Sequence, residues 1–327
     1  MSLFTKLHTE TRLPGFEGAT GWLNSKPLAA DDLHGKVVLV DFWTYTCINW
    51  LRTLGYVRAW HEKYQEHGLV VVGVHTPEFP FERDTDNVRW AAAQQRVEYP
   101  IALDPEYAVW RAFSNNYWPA VYIADAEGAI RHMHFGEGSY EECEMVIQML
   151  LREAGADGVA DDLVSVAGEG FETQADWGTL ASPETYLGYR QGRNFVSADT
   201  AEFNEPREFD VPERLERNQW ALSGNWTLGP GKSVVNEADG RFSFRFHARD
   251  VNLVMSPPAS GPVAYRALVD GEPPGKAHGL DPDEQGNGTL DRPRLHQLIR
   301  EPRSITDRTF AITFLAPGAE AYCFTFG

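Results

Sequence analysis

The fold of this chain is decided by one short stretch, Val37-Val38-Leu39-Val40-Asp41-Phe42-Trp43-Thr44-Tyr45-Thr46-Cys47. Its apolar, β-branched beginning predicts a buried strand over Val37–Phe42. The residues from Trp50 to His67 have the pattern of a helix. Cys47 is therefore predicted at a strand-to-helix junction. Unpaired backbone N–H groups and the helix dipole favour the thiolate there, and the thiolate is the nucleophile of disulfide exchange.

A second thiol is missing where a redox pair needs one. With two intervening residues after Cys47, the partner cysteine of such a pair falls at position 50, and this chain has Trp50. A mixed disulfide on Cys47 then has no thiol one turn away to release it. Two interpretations of Trp50 stay open. It packs against the core, or it roofs the thiol and offers a stacking face to a substrate.

Strands and helices alternate along the chain up to about residue 154. The predicted elements are strand Val37–Phe42, helix Trp50–His67, strand Leu69–His75, helix Asn87–Gln95, strands Ala120–Ala124 and Ile130–Phe135, and helix Tyr140–Ala154. The turn Asp125-Ala126-Glu127-Gly128 makes the last two strands an antiparallel pair. This order predicts an α/β domain with a mixed sheet and flanking helices.

The second half of the chain has a different character. Residues 156–170 are rich in Gly, Ala and Asp with weak periodicity, and we predict a linker there. Short β-like runs parted by Gly and Pro follow, at Phe242–Phe246, Asn252–Met255, Val263–Val269, Leu295–Ile299, Phe310–Leu315 and Tyr322–Phe326. Strands at such spacing predict a sandwich. The predicted domains are therefore 1–155 and 171–327, joined by the linker 156–170.

Two motifs give the first domain a family resemblance. Val40-Asp41-Phe42-Trp43, then the cysteine and a long helix, and then Trp118-Pro119-Ala120-Val121-Tyr122-Ile123 resemble a thioredoxin fold. This part of the chain is similar to the thioredoxin folds of the extracytoplasmic reductases TlpA and ResA, within the AhpC/TSA redoxin superfamily. The segment Trp43–Asn49 is more similar to the soluble C-terminal part of DipZ-type proteins, in which a cysteine replaces Trp50.

The likeness to the DipZ type continues into the second domain. Ser182–Tyr189 and Asp283–Gly288 both resemble that family, so the resemblance covers nearly the whole chain. It implies an α/β thioredoxin-like domain followed by an all-β, jelly-roll-like sandwich similar to a carbohydrate-binding module.

The resemblance also implies roles for individual residues. The catalytic positions fall on Cys47, Asp41 and Pro119. In such proteins the proline is cis, faces the cysteine and presents its backbone to an extended partner. Asp41 matches a buried acid that passes a proton to the second cysteine, so here it is a structural acid or a group that acts on Cys47. The residues expected to contact a substrate are Trp43, Thr44, Thr46, Trp50 and Trp118.

Thr44 carries a further resemblance. A threonine three residues before the cysteine resembles the peroxiredoxins, in which a threonine hydroxyl and an arginine orient the peroxide. The proline of that pattern falls at Val40, and no arginine can be assigned. Such an enzyme is a one-cysteine peroxidase that passes through a sulfenic acid. Cys143 is a weak candidate to resolve it, because Val146 and Leu150 on the same helix face indicate that it points into the core.

Composition excludes several classes of partner. The formal net charge of −18 is spread over both halves of the chain, whereas nucleic acids and anionic membranes attract clustered positive charge. No apolar run approaches the roughly 20 residues that span a bilayer, and residues 1–10 lack the apolar core of a signal peptide. The three cysteines are far apart, and Cys323 is predicted to be buried in the last strand. We therefore expect a cytoplasmic protein without nucleic-acid partners or membrane insertion.

The sequence patterns for metal and carbohydrate sites are incomplete. His132 and His134 alternate on one strand without a cysteine or acid at ligand spacing. The loop Asp281–Gly288 has oxygen ligands suited to calcium but lacks the closing Glu of an EF-hand, so a solvated turn is preferred. Aromatic residues are the candidate carbohydrate platforms of the second domain. They are Trp177, Tyr186, Tyr189, Trp220 and Trp226.

Three functional hypotheses follow. The leading one is a thiol-dependent redox protein, in which Cys47 attacks a protein or small-molecule disulfide or an oxidant. An external thiol, such as glutathione, completes the cycle, and no bound cofactor is expected. The second is a thioredoxin-shaped binding module without chemistry, whose sandwich domain binds carbohydrate or protein. The third is a one-cysteine, peroxiredoxin-like peroxidase.

Overall fold

A computed structural model of the chain describes residues 12–197, 203–302 and 304–327. The chain divides into two compact units, one ending at Thr173 and the other beginning at Gln174. The domain limits given above remain a prediction, and the residues of the predicted linker, 156–170, lie within the first unit. Among the helices in these ranges, none is long and apolar enough to cross a membrane.

The first unit alternates strands and helices. Its strands are β1 (Gly21–Leu23), β2 (Val37–Trp43), β3 (Leu69–His75), β4 (Ile101–Leu103), β5 (Ala120–Ala124) and β6 (Ile130–Phe135). Its α-helices are α1 (Ala30–Leu33), α2 (Ile48–Tyr64), α3 (Thr85–Gln94), α4 (Ala108–Ala112) and α5 (Tyr140–Glu153). Short 3-10 helices cover Gln65–His67, Pro80–Arg83 and Gly170–Glu172. The strands form a mixed, thioredoxin-like sheet in the order β1-β4-β3-β2-β5-β6.

Strand β2 lies at the centre of this sheet. It pairs with β3 in parallel and with β5 antiparallel, and all of its seven residues are buried. A continuous run of valine, leucine and aromatic residues needs cover on both faces, which only a central strand receives. The carboxyl end of β2, and with it Cys47, is thereby held at the middle of the sheet.

The predicted α/β order is confirmed in this unit. Strands β3, β5 and β6 have the predicted limits, and β5 and β6 form the expected antiparallel pair. Helix α2 begins at Ile48, two residues before the predicted start, because Cys47 is its N-cap. The sequence missed β1, β4, α1 and α4, which are three to five residues long and too short to show a period.

The segment after α5 packs against helices α2 and α5 of the same unit. Glu144 is buried and accepts the backbone N–H of Val164 at 2.9 Å. Arg58 of α2 donates to both carboxylate oxygens of Glu172, at 2.6 and 2.7 Å. The segment lies closest to α2 at Gly55, where an added Cβ would be 2.8 Å from a methyl group of Val166. A glycine inside a helix is thus used here for contact rather than for helix stability.

The second unit is an all-β structure. Its strands are β7 (Thr185–Tyr186), β8 (Pro206–Phe209), β9 (Trp220–Leu228), β10 (Ser233–Val235), β11 (Gly240–Phe246), β12 (Asp250–Ser256), β13 (Val263–Val269), β14 (Asn287–Leu290), β15 (Arg294–Arg300), β16 (Arg308–Phe314) and β17 (Glu320–Phe326). In the described ranges they form one antiparallel sheet of 11 strands, in the main order β14-β13-β16-β11-β9-β10-β17-β12-β15. Strand β7 pairs with β17, and β8 pairs with β9.

Strand β9 makes this sheet curl. Its first half pairs with β11 and its second half pairs with β8 and β10. Between the halves lies Gly224, with φ of 84°, and an added Cβ there would lie 3.3 Å from the Cα of Gly240. The curled sheet brings its two inner faces together. Phe244 on one face and Phe324 on the other have ring centroids 5.3 Å apart.

The prediction of an all-β, sandwich-like second domain is confirmed, whereas the jelly-roll strand order stays a prediction. Two of the candidate carbohydrate platforms were placed wrongly. Trp220 and Trp226 are buried in the core between the two inner faces, so they present no ring to a ligand. Large aromatic side chains on the inward positions of a strand supply most of a sandwich core.

Candidate functional site

Cys47 is the N-cap residue of α2, which runs for 17 residues behind it. Its carbonyl accepts the N–H of Leu51 at 3.0 Å, which begins the helix. The side chain of Cys47 is partly exposed, whereas its neighbours Thr46 and Ile48 are buried. Strand β2 and helix α2 therefore hold one accessible thiol beside the positive end of a long helix.

The loop before β5 forms the other side of the site. The Trp118–Pro119 peptide bond is cis, as the resemblance implied. The Sγ atom of Cys47 lies 3.8 Å from the carbonyl oxygen of Trp118. The indole of Trp118 is partly exposed and donates to the carbonyl of Thr76 at 3.1 Å, which fixes its ring. The fold thus brings Cys47, Trp118 and Pro119 together.

Asp41 lies beneath this surface and is bound by Trp50. Both residues are fully buried, and Trp50 Nε1 donates to Asp41 Oδ2 at 2.9 Å. Tyr99 OH lies 3.4 Å from the same oxygen. Burial raises the pKa of Asp41 to about 7, although both hydrogen bonds act to lower it. An indole N–H only donates, so Trp50 holds the acid without offering it a proton to exchange.

Trp50 also stacks on Trp43. The ring centroids are 4.3 Å apart at an interplanar angle of 22°, and both indoles have no exposed surface. His75 meets the edge of Trp43 at 4.7 Å, and burial lowers the pKa of His75 to about 3. This placement fits the packing interpretation of Trp50. It leaves neither Trp43 nor Trp50 a face that a substrate can touch.

Thr46 is held by a residue that the sequence did not single out. Glu82 is buried in the 3-10 helix after β3, and it accepts from the hydroxyl and the backbone N–H of Thr46 at 2.7 and 3.3 Å. It also accepts the backbone N–H groups of Glu78 and Phe79. Burial raises the pKa of Glu82, while these hydrogen bonds lower it. Nothing in the local pattern marks Glu82, because its partner lies 36 residues away in the chain.

The peroxiredoxin-like pattern is incomplete in space as well. Thr44 is fully buried. Helix α2 has a buried arginine, Arg52, but this residue forms an ion pair with Glu137 at 3.3 Å. Its positive charge is therefore balanced by a carboxylate.

Cys143 lies in the core, as predicted. Its thiol is 3.6 Å from His132 Nε2, and burial raises the pKa of Cys143 to about 12. Cys323 is buried in β17, again as predicted. His134 Nε2 lies 3.4 Å from the carbonyl of Glu137. In the described parts of the chain, no three His, Cys, Asp or Glu side chains are arranged to hold a metal ion.

Two carboxylates of the candidate calcium loop are bound by other groups of the protein. Asp283 accepts the N–H groups of Gln285 and Asn287 at 3.0 and 2.8 Å, in the manner of a turn. Asp281 forms an ion pair with Arg294 at 2.6 Å. Of the remaining carbohydrate candidates, Trp177 is exposed, whereas Tyr186 and Tyr189 are half-buried. A carbohydrate site at these residues stays a prediction.

Two exposed aromatic residues flank the proline loop. Tyr117 precedes Trp118 and is 54% exposed, and Phe135 at the end of β6 is 43% exposed. Their ring centroids are 5.1 Å apart. Phe135 stands opposite Ala120 in the β5–β6 pairing, so the pair adjoins Pro119. The sequence reasoning did not name either residue.

Comparison with known proteins finds a family match in each half of the chain. The AhpC/TSA family matches residues 10–133, and the family described as "Thioredoxin like C-terminal domain" matches residues 182–327. The thiol-disulfide oxidoreductase YkuV of Bacillus subtilis (strain 168) is 30% identical over 141 residues, which are 43% of this chain and 95% of YkuV. The chain belongs to the thioredoxin-like AhpC/TSA family. Its first unit is an AhpC/TSA domain related to thiol-disulfide oxidoreductases.

A longer match extends into the second unit. Protein DipZ of Mycobacterium tuberculosis (strain CDC 1551 / Oshkosh) is 38% identical over 265 residues, which are 80% of this chain and 36% of DipZ. The AhpC/TSA chain thus spans about a third of the length of that relative. Among solved structures, a thioredoxin-like protein in the oxidised form is 30% identical, with a TM-score of 0.41, over 44% of this chain and 97% of that one.

Proposed function

We propose that this chain is a thiol-disulfide oxidoreductase that works with the single thiol of Cys47. The observation that carries the proposal is the partly exposed Cys47 at the N-cap of α2, 3.8 Å from the carbonyl of Trp118, with a buried Trp50 in the place of a second cysteine. The helix N-terminus favours the thiolate, and its exposure allows an in-line approach to a disulfide.

The reaction consists of two exchanges. The thiolate of Cys47 attacks one sulfur of a disulfide, a mixed disulfide forms on Cys47, and the other sulfur leaves as a thiolate. A second thiolate, from an external small thiol such as glutathione, then attacks the mixed disulfide. Cys47 is released as a thiolate, and the external sulfur stays bonded to the substrate sulfur. A further external thiol reduces that bond outside the site.

Four residues around Cys47 have proposed roles. Trp118 and Pro119 line the approach to the thiol. The carbonyl of Trp118 accepts a hydrogen bond from the thiol of Cys47, and the thiol proton is released to solvent when the thiolate forms. Thr46, held by Glu82, fixes the turn that leads into α2. Asp41 is a structural acid in this proposal, because its oxygen Oδ2 is occupied by Trp50 and Trp50 releases no proton.

The substrate of this reaction is a protein or small-molecule disulfide. The exposed pair Tyr117 and Phe135 gives an apolar surface next to Pro119, which suits an apolar side chain beside the cysteine of a protein substrate. We propose the cytoplasm as the location, because its thiol pool supplies the external reductant.

A second candidate function is a binding module without chemistry. The observation that favours it is Trp50, whose buried indole closes the position that a resolving thiol needs. The same surface at Trp118, Tyr117 and Phe135 then holds a partner without exchange. The two functions differ in the reactivity of Cys47.

The deciding experiment uses the full chain with Cys143→Ser and Cys323→Ser, so that Cys47 is the only thiol. We expect glutathione disulfide to form a mixed disulfide on Cys47, seen as a mass increase by intact-protein mass spectrometry, and reduced glutathione to reverse it. The matched control adds Cys47→Ser and gains no mass. Failure of Cys47 to react favours the binding module. A sulfenate formed with hydrogen peroxide, without disulfide exchange, points to the one-cysteine peroxidase.

A further inference from the structure

A cleft of about 360 Å³ opens on the outer face of the second unit. The segment 211–215 forms one wall, and strands β9, β11 and β16 form the floor. All of these residues belong to the second unit, which begins at Gln174. The polar residues of its lining are Glu213, Arg214, Arg241, Arg245 and the hydroxyl residues Ser223, Ser243 and Thr309.

The floor of the cleft comes from strand alternation. Along β11, Phe242 and Phe244 point into the core, so Arg241, Ser243 and Arg245 share the outer face. Ser243 stands opposite Ala221 of β9 and Ala311 of β16. These three small side chains form one row across the strands and leave an open space above them. Arg241 lies two residues before Ser243 and Arg245 two residues after it, so the space is between the two arginines.

The charges in the cleft differ from those of the rest of the molecule. The chain has 47 acidic and 29 basic residues, yet the lining has three arginines and one carboxylate, Glu213. Arg241 Nε is buried and has no hydrogen-bond partner within the described residues. Arg245 forms a long ion pair with Asp307, at 3.8 Å. Arg214 pairs with Glu216 on the surface, where both side chains are largely exposed.

A buried guanidinium N–H without a hydrogen-bond acceptor raises the free energy of the folded chain, and a bound anion supplies the missing acceptor. An oxyanion satisfies guanidinium donors in a planar, two-pronged geometry. The hydroxyl groups of Ser223, Ser243 and Thr309 add neutral donors and acceptors. The volume suits an organic molecule, since ligand sites usually begin near 300 Å³.

We propose that this cleft binds a small organic anion whose carbon skeleton carries hydroxyl groups, such as a sugar acid or a sugar phosphate. The oxyanion lies between Arg241 and Arg245, and the hydroxyl groups contact Ser223, Thr309 and Glu213. Neutral sugars bind much more weakly, because they leave the guanidinium groups unpaired. This site is independent of Cys47 and of the proposed redox reaction.

The test is isothermal titration calorimetry on the full chain with three probes: glucuronate, glucose 6-phosphate and glucose. We expect the anions to bind and glucose not to bind, and the tighter of the two anions identifies whether the carboxylate or the phosphate is preferred. The variant Arg241→Gln should weaken anion binding by about tenfold or more, the size of a charged hydrogen bond. Arg245→Gln should act in the same direction.

The matched control is Arg266→Gln on β13 of the same sheet, outside the cleft, which should leave the affinity unchanged. Arg241→Lys keeps the charge but loses the forked donors, so we expect it to bind more weakly than the unmodified chain. Thermal unfolding of each variant confirms that it is folded. Equal binding of glucose, absence of binding by both anions, or an equal loss in Arg266→Gln overturns the proposal.

Discussion

At the scale of single residues, the buried carboxyl group of Asp41 contributes a pH dependence to the stability of the first unit. Burial raises its pKa from 3.8 to about 7 in the folded chain. Between these pH values the folded protein binds more protons at Asp41 than the unfolded chain does. The contribution of Asp41 to the free energy of unfolding therefore falls as the pH rises through this interval, by on the order of 4 kcal/mol in full.

We expect Asp41→Asn to remove this contribution. An asparagine oxygen still accepts from Trp50 Nε1, and the amide has no charge to bury. Urea unfolding at a series of pH values between about 4 and 7 should show the variant gaining stability relative to the unmodified chain as the pH rises. The control is Asp157→Asn at an exposed position. Parallel pH profiles for Asp41→Asn and the unmodified chain would contradict the burial of an ionisable carboxyl group.

Glu82 is the second residue whose removal has a sharp consequence. In Glu82→Ala, the hydroxyl and N–H of Thr46 and the N–H groups of Glu78 and Phe79 lose their common acceptor. We expect a loss of about 3 kcal/mol in the free energy of unfolding, and faster hydrogen exchange at these three amides. Glu82→Gln keeps one acceptor oxygen and should lose less.

The matched control for Glu82 is Glu66→Ala, which removes an exposed carboxylate from the same unit. It should change stability by no more than about 0.5 kcal/mol. If Glu82→Ala behaves like Glu66→Ala, the turn before α2 is held by other contacts. If exchange rises at Glu78 and Phe79 but not at Thr46, the link between Glu82 and the thiol segment is absent.

At the scale of elements, α2 serves two partners. Its first turn follows the N-cap Cys47, and its middle contacts the segment that follows α5. There Nη2 of Arg58 donates to both carboxylate oxygens of Glu172. Gly55 allows this approach, since an added Cβ would meet Val166 at 2.8 Å. The helix thus gives up about 1 kcal/mol of intrinsic propensity for a close contact.

We expect Gly55→Leu to displace this segment from α2. A leucine side chain is far larger than the space available, so overpacking should cost about 1–3 kcal/mol despite the better helix propensity. Limited proteolysis should then cut within residues 156–173 more quickly. Glu62→Ala, at an exposed position of the same helix, is the control and should leave the cleavage rate unchanged. Unaltered cleavage in Gly55→Leu would show that the segment does not depend on this contact.

The elements that the sequence predicted well share one physical property. Strands β3, β5 and β6 are bounded by turn residues and long enough to show their pattern, so their limits were correct. Strand β9 was missed because Ser223, Gly224 and Asn225 interrupt its apolar pattern where the sheet bends. A bend depends on the pairing of several strands, so the periodicity of a single strand does not predict it.

At the scale of the whole molecule, the order of an α/β unit and an all-β unit was readable from the sequence, and much of the candidate site was not. Cys47 and Pro119 were found because each lies in a local motif. The contact of Trp50 with Asp41 was not foreseen, because periodicity leaves open whether an indole faces solvent or an acid below it. The arginine cleft was hidden for a related reason. Arg241 and Arg245 are unremarkable in sequence, and Arg214 joins them only through the fold.

The shared strand β9 has a consequence for how the second unit comes apart. Strand β9 is hydrogen-bonded to β11 in one half of the curled sheet and to β8 and β10 in the other. If either half unfolds, β9 loses hydrogen bonds that also hold the strand in the remaining half. The aromatic core between the halves adds a second coupling, since Phe244 and Phe324 lose their contact whichever half opens first. We therefore expect the second unit to unfold as a single cooperative unit, without a stable intermediate in which only half of the curled sheet is formed.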